Sequence, residues 1–349
     1  FGSDASSFWE RSVITVFYHE HNPHPIRRMM DTVDGADKFI RPYLYQELFR
    51  TMRFPEGTAI FTDTEYLSTL QMDVIAGVES ALMATTPDAR IMNRPSVALE
   101  RFALLRALKR AGLSDVEAVR LDSGDRPTRY PVFIRSEVGC YGPETGLLET
   151  PEALEAAVMA LPGQNQPLKG RIAVSYEAQA DQHGIYRKYG MLRIGDRLFP
   201  QHVMFSKNWM IKASTMGFDE ASIAEELDYV FTNPHADLLR EVFDVAGLQY
   251  GRADYSFCDG KLVVYEVNSN PTLPNRLNVG TERLERRKAV RVLMNEAFQA
   301  LYDGKIKTRW QTIPHVEDSY RLVERNNWGA LRRFIWRRHR HRSKQARKS

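Results

Sequence analysis

Between positions 250 and 271 the chain reads Tyr-Gly-Arg-Ala-Asp-Tyr-Ser-Phe-Cys-Asp-Gly-Lys-Leu-Val-Val-Tyr-Glu-Val-Asn-Ser-Asn-Pro, and few folds can accommodate it. Two segments of β-branched and aromatic residues flank Asp259-Gly260, a pair suited to the positive φ of a tight hairpin turn. The pattern predicts antiparallel strands over 250–257 and 261–267. Side chains alternate across a strand, so Arg252 and Asp254 share one face, as do Glu266, Asn268 and Asn270. The turn then lays Asp254 across from Glu266 or Asn268. Because Val263, Val264 and Val267 are apolar, this is a polar cluster on a core-like sheet. An ordinary exposed hairpin explains any one of these residues, but poorly explains their convergence. Two carboxylates and an amide oxygen are hard ligands of the kind Mg²⁺ accepts alongside waters and nucleotide phosphates. Arg252 adds a fixed positive fork for phosphate oxygens.

The rest of the chain predicts an α/β protein. Buried strands are expected at 12–18, 58–61 and 89–92, with helical patterns between them, notably 66–82. Strands alternating with helices imply a parallel layer over roughly the first 93 residues. Asn93-Arg94-Pro95-Ser96 then precedes a helix expected over 97–110 and closed by Gly112. Strands follow at 116–121 and 130–135, then a glycine-bearing loop over 139–146. Thr150-Pro151 opens a further helix, 171–176 reads as a strand, and 186–199 reads as a hairpin turning at Gly195-Asp196. A helical pattern over 222–246 is interrupted at Asn233-Pro234, and 282–301 is a helix with a charged face. No internal repeat is visible.

Length, at 349 residues, suggests two or three lobes, and 17 Phe, 15 Tyr and 5 Trp can fill a substantial core. No apolar run approaches the ~18 residues of a membrane-spanning helix, and no signal segment opens the chain. Cys140 and Cys258, the 2 cysteines, make neither a disulfide framework nor a thiolate zinc cluster and suit a reducing cytoplasm. From position 321 onward, eleven Lys/Arg face one acid, Glu324, a net of +10, so the remainder carries −6. The body is therefore a mildly acidic globule with a basic tail, which argues against a nucleic-acid surface on the body.

Arg-x-Asp, eleven intervening residues, then Glu-x-Asn-x-Asn-Pro resembles the metal-binding signature of the ATP-grasp superfamily. Its members include D-alanine–D-alanine ligases, glutathione synthetases and ribosomal-protein glutamate ligases. The resemblance covers roughly residues 90–300. It implies an N-terminal α/β domain (1–93), a central lid (94–175), a C-terminal ATP-grasp subdomain (176–312) and a basic tail (313–349). By the same resemblance ATP and Mg²⁺, in two ions, are the cofactors. Asp254, Glu266 and Asn268 would be metal ligands, Asn270 an accessory, and Arg252 the catalytic phosphate clamp. Arg135 stands on the strand before the glycine-bearing loop, where the family usually has a phosphate-binding lysine. Glu177, within the expected hinge strand (172–179), would contact adenine or ribose. Lys188 and Lys207 would contact phosphates, with Arg193 and Lys212 as comparable candidates. Many relatives continue after Asn-Pro with glycine, whereas Thr272-Leu273-Pro274 follows here, so acceptor identity does not carry over.

The implied activity is an ATP-dependent carboxylate–amine ligase acting through an acyl phosphate, with a small-molecule or peptide carboxylate and an amine acceptor. Rival readings are an ATP-grasp kinase for a hydroxyl and a non-catalytic nucleotide-binding protein. No GxxxxGK[ST], strand-linked GxGxxG or GxSxG appears, so P-loop, dinucleotide and serine-hydrolase classes lack support. His19, Glu20, His21 and His24 lack an established metal spacing; a polar loop after a parallel strand suits His21 or His24 to substrate contact instead. In the tail, Trp328, Leu331 and Ile335 would form an apolar stripe among arginines, fit for docking on the body, an anionic membrane surface or RNA. A homo-oligomer is compatible with the sequence.

Overall fold

The computed structural model describes residues 13–139, 141–211, 219–274, 283–302 and 309–313. Cys140, Lys212 and the tail stripe lie outside them. The first layer is a parallel sheet in the order β2-β1-β4-β5, formed by β1 (Ile14–Tyr18), β2 (Ile40–Leu44), β4 (Ala59–Phe61) and β5 (Ile91–Met92). Short β3 (Arg53–Pro55) pairs instead with β13 (Trp310–Thr312). Three of the four parallel strands follow the expected pattern. The fourth, β2, escapes it because Pro42 interrupts its apolar run. Pro42 sits on the sheet's edge strand, where a missing N–H need not break an interior ladder.

Helices α1 (Pro23–Thr32), α2 (Ala36–Phe39), α3 (Tyr45–Thr51) and α4 (Thr69–Thr85) connect these strands. The polar loop after β1 is short, and His24 and Pro25 already belong to α1. Pro23 opens α1, where its fixed φ and missing N–H cost nothing, and His24 faces Arg28 one turn on. Ser68 caps α4 through a reciprocal bond with Gln71.

A second, antiparallel sheet follows in the order β6-β8-β7: β6 (Ala118–Arg120), β7 (Val132–Ser136) and β8 (Arg171–Ser175). It is flanked by α5 (Arg101–Arg110) and α6 (Pro151–Gly163). The helix expected from 97 begins only at Arg101. The preceding backbone is held elsewhere: Ser96 N–H donates to Glu79, and Leu99 N–H donates to the carbonyl of Ala246. Alternation on β7 puts Val132 and Ile134 against α6 and turns Phe133 and Arg135 the other way.

The third sheet is antiparallel, β10-β9-β11-β12: β9 (Tyr186–Ile194), β10 (Arg197–Ser206), β11 (Tyr250–Cys258) and β12 (Lys261–Asn268). Both hairpin turns lie where expected. At the β11–β12 turn Asp259 and Gly260 take φ of 49° and 75°, as a two-residue turn between twisted strands requires. One face packs on α7 (Glu220–Thr232), α8 (Ala236–Ala246) and α9 (Leu284–Leu301). The core formed there continues into the parallel sheet, joining Met191, Phe243 and Phe298 to Ile14, Val16 and Ile60.

Candidate active site

The β11–β12 register sets the site. Asp254 lies directly opposite Glu266, and Arg252 opposite Asn268. The expected convergence is therefore present, although the register between Asp254 and Tyr255 is shifted by a bulge on β12. Tyr255 pairs with Val264, so Tyr265 is an extra residue. Tyr265 and Glu266, neighbours in sequence, consequently line the same cavity. Strict alternation would have sent them to opposite faces.

Each carboxylate is held by cations. Arg252 grips Asp254 with both prongs, at 2.6 and 3.3 Å, and Lys188 Nζ lies 3.5 Å from Asp254 Oδ2. Glu266 Oε2 accepts from Arg101 at 2.8 Å and from Arg135 at 3.0 Å, while Asn268 Nδ2 donates to Oε1 at 3.2 Å. Burial pushes the Glu266 carboxyl up, but Arg135, Arg101 and the Asn268 amide outweigh it and hold it well below the usual carboxylate range. Burial lowers the Arg135 pKa against the pull of Glu266, whereas for Arg252 the pull of Asp254 outweighs burial and raises it.

Arg101 was not legible in the sequence. The first residue of α5, it donates to the carbonyls of Ser136, Glu137 and Gly139 as well as to Glu266. It thus ties the loop after β7 to the carboxylate cluster, across 165 positions in the chain.

A cavity of about 370 Å³ opens between the second and third sheets. Arg135, Lys188, Asp254 and Glu266 line its polar part. Phe133, Tyr176, Trp209 and Tyr265 form aromatic walls, with Met204, Met210 and Ile211 beside them and Tyr141, Gly142 and Pro143 as the covering loop. Tyr176 and Trp209 meet edge to face at 5.1 Å. Flat apolar walls beside a cationic patch suit a planar base joined to phosphates.

Not every expected residue joins this cavity. Asn268 lines a smaller adjoining one. Glu177 pairs with Arg129 at 3.0 Å, and Lys207 is exposed beyond the end of β10; neither lines the large cavity. Arg193 is buried against Asp244 and the carbonyl of Gly195, a structural position. Near the parallel sheet His19 is buried, with its Nδ1 accepting from the His21 N–H and its ring stacked on Tyr66. Among the described residues no group of three or more His, Cys, Asp or Glu could hold a metal ion. The Asp–Glu–Asn set is of a different kind, and its hard oxygens on paired strands fit Mg²⁺. Two carboxylates among four cations leave the cluster net positive, so a metal arriving with a polyphosphate suits it better than a bare ion.

The smaller cavity, about 50 Å³, is lined by Glu65, Glu100, Arg101, Glu137, Gly139, Glu266 and Asn268, among others. Glu65 is raised to about 7, by burial first and then by Asp63 and Glu100. Asp63 is raised to about 6 by burial, although Asn22, the His19 N–H and Asn270 all donate to it. The folded state therefore binds more protons at Glu65 than the unfolded chain does between pH 4.5 and 7. Its stabilising contribution is complete below 4.5 and is lost as pH rises through 7. Glu65→Gln removes this dependence. Urea unfolding at pH 4 should barely separate the variant from wild type, while at pH 8 the variant should be more stable by about 2–3 kcal/mol. A constant difference at both values would refute the assignment.

Arg135 carries a second expected result. For a nucleotide held in this cavity, Arg135→Ala should raise its KM about tenfold or more, and Arg135→Lys should recover part of the loss because the charge returns without the fork. An unchanged KM in the alanine variant would remove Arg135 from the nucleotide site.

No family model matches the chain, and no curated protein matches it. Solved structures do show likeness. One is D-alanine–D-alanine ligase from Bacillus anthracis complexed with ATP, at a TM-score of 0.46 and 11% identity, covering 83% of this chain and 98% of that one. Another is the D-alanine–D-alanine ligase from Coxiella burnetii, at 0.48 and 11%, covering 90% and 99%. A third is an ATP-grasp RimK domain protein from Sphaerobacter thermophilus, at 0.43 and 14%, covering 82% and 99%.

Proposed function

We propose that the chain is an ATP- and Mg²⁺-dependent carboxylate–amine ligase that forms an amide and releases ADP and phosphate. The observation that carries this reading is the opposed Asp254–Glu266 pair. With Lys188 and Arg135, it gives the aromatic-walled cavity of about 370 Å³ its charged end. The domain division at 93, 175 and 312 belongs to the same proposal.

A carboxylate does not condense with an amine at neutral pH because its oxygen is a poor leaving group. Transfer of the γ-phosphoryl converts it to an acyl phosphate, and attack by the amine then expels phosphate. The walls of Phe133, Tyr176, Trp209 and Tyr265 hold the base. Lys188, Arg135 and Arg252 offset the phosphate charge and keep the chain of phosphates in line. Asp254, Glu266 and Asn268 would hold Mg²⁺, which when bound draws charge from the phosphate oxygens. The loop anchored by Arg101 covers the reacting group and keeps water from an activated acyl.

The test is product analysis. Purified protein is given ATP, Mg²⁺ and mixtures of amino, hydroxy and dicarboxylic acids, with and without hydroxylamine. A hydroxamate accompanied by ADP and phosphate supports the ligase. AMP with pyrophosphate, a stable phosphorylated alcohol, or ATP binding without turnover would each overturn it, the second in favour of a kinase and the third in favour of a non-catalytic nucleotide-binding protein.

A further inference from the structure

Glu266 lines both cavities, the aromatic one it shares with Arg135 and the small polar one it shares with Arg101 and Glu65. If the nucleotide fills the first, phosphoryl chemistry occurs beside Glu266, and the small cavity becomes the place from which an acceptor reaches the activated carbonyl. That acceptor is an amine, protonated at neutral pH, and it needs a base. We propose that Glu65 is this base, taking a proton from the acceptor's ammonium group in the small cavity. The inference rests on the ligase reading and names the group that reading lacks.

The geometry singles out Glu65 among the acids there. Glu137 is bound in a fork by Arg120, and Glu266 by Arg101 and Arg135. Asp63, on the same turn as Glu65, accepts from three donors, and Glu100 at the start of α5 is exposed. Among the described residues Glu65 is the less exposed carboxylate on this cavity with no ion pair to tie it down. It sits in the one-turn helix Thr64–Tyr66, entered through the left-handed Asp63, whose N–H donates to Ser269 beyond β12. Burial first, then the charges of Asp63 and Glu100, raise its proton affinity toward neutrality, while its own backbone N–H and Arg101 oppose them. A base of that strength is matched to the working pH.

The step balances. The ammonium gives one proton to the Glu65 carboxylate, and the nitrogen lone pair attacks the acyl carbonyl. The C–N bond forms, the C–O bond to phosphate breaks with its electron pair leaving on phosphate, and the second nitrogen proton goes to that phosphate. Glu65 returns its proton to water.

Hydroxylamine separates this role from a structural one, because it is largely unprotonated at neutral pH and needs no base. Wild type and Glu65→Gln are compared with ATP, Mg²⁺ and the acid mixtures above, reading amide and hydroxamate by mass spectrometry across pH 6–9. Glu65→Gln should lose amide formation by about 100-fold while keeping most hydroxamate formation, and should lose the rise in amide rate through pH 7. Glu65→Asp should recover part of the loss. Equal loss of both products would assign Glu65 a structural role, and undiminished amide formation would remove it from the reaction; either overturns the proposal. Absence of hydroxamate from wild type would overturn the ligase reading itself, and this inference with it.

Discussion

Glu266→Gln is expected to cut Mg²⁺-dependent ATP turnover by at least about 100-fold while leaving the protein folded. Glu266 is the pivot of the site, with Arg101 and Arg135 on one oxygen and Asn268 on the other. The glutamine keeps the volume and one carbonyl oxygen but removes the negative charge that both guanidiniums use and that a bound Mg²⁺ would use. A substrate-independent readout accompanies turnover: the gain in ADP affinity on adding Mg²⁺, measured by calorimetry, should largely disappear. Thermal melts serve as the control for folding. Full turnover together with an undiminished Mg²⁺ effect on ADP binding would end the metal assignment. Alanine is the poorer probe, since it also removes the oxygen to which Arg101 and Arg135 donate and the side chain's volume, and so confounds stability with chemistry.

The second large effect concerns stability. Glu226, on α7, is only 1% exposed, yet it accepts from Val203 N–H at 3.0 Å and from Arg283 Nε at 2.6 Å, with Arg286 at 3.4 Å. Arg286 in turn donates to the carbonyl of Gln201, beside the irregularity in β10. Removing a buried carboxylate strands its cationic partners, at a cost of about 3–5 kcal/mol. Glu226→Ala should therefore lower the melting temperature by roughly 10 °C. Glu226→Gln, which can still accept from Val203, should lose less. A change under about 1 kcal/mol in the alanine variant would show that water reaches these arginines.

Much of the fold was legible because its signals are local. Asp259-Gly260 needs only its own φ preference to place β11 against β12, and Thr150-Pro151 needs only its own N–H bookkeeping to start α6. Alternation alone put Arg252 with Asp254. What could not be read depends on partners distant in the chain. Nothing near Arg101 says that it will reach Glu266, and nothing near Glu65 says that Glu100 and Arg101 will close over it. Pro42 and Pro23 misled for another reason: both sit at positions where proline is tolerated, an edge strand and a first helical turn, and sequence pattern alone does not mark which prolines are so placed.

The extra residue on β12 also limits how this chain can vary. Elsewhere on a paired strand, losing one residue exchanges the two faces of everything beyond it. Deleting Tyr265 would instead restore an unbroken ladder, an apparently benign repair that favours pairing. It would do so by removing an aromatic wall of the large cavity and leaving Glu266 to follow Val264 directly. Natural length variation should therefore avoid this strand and collect in the connections, and a shortened β12 among relatives would mark a chain that had given up this site.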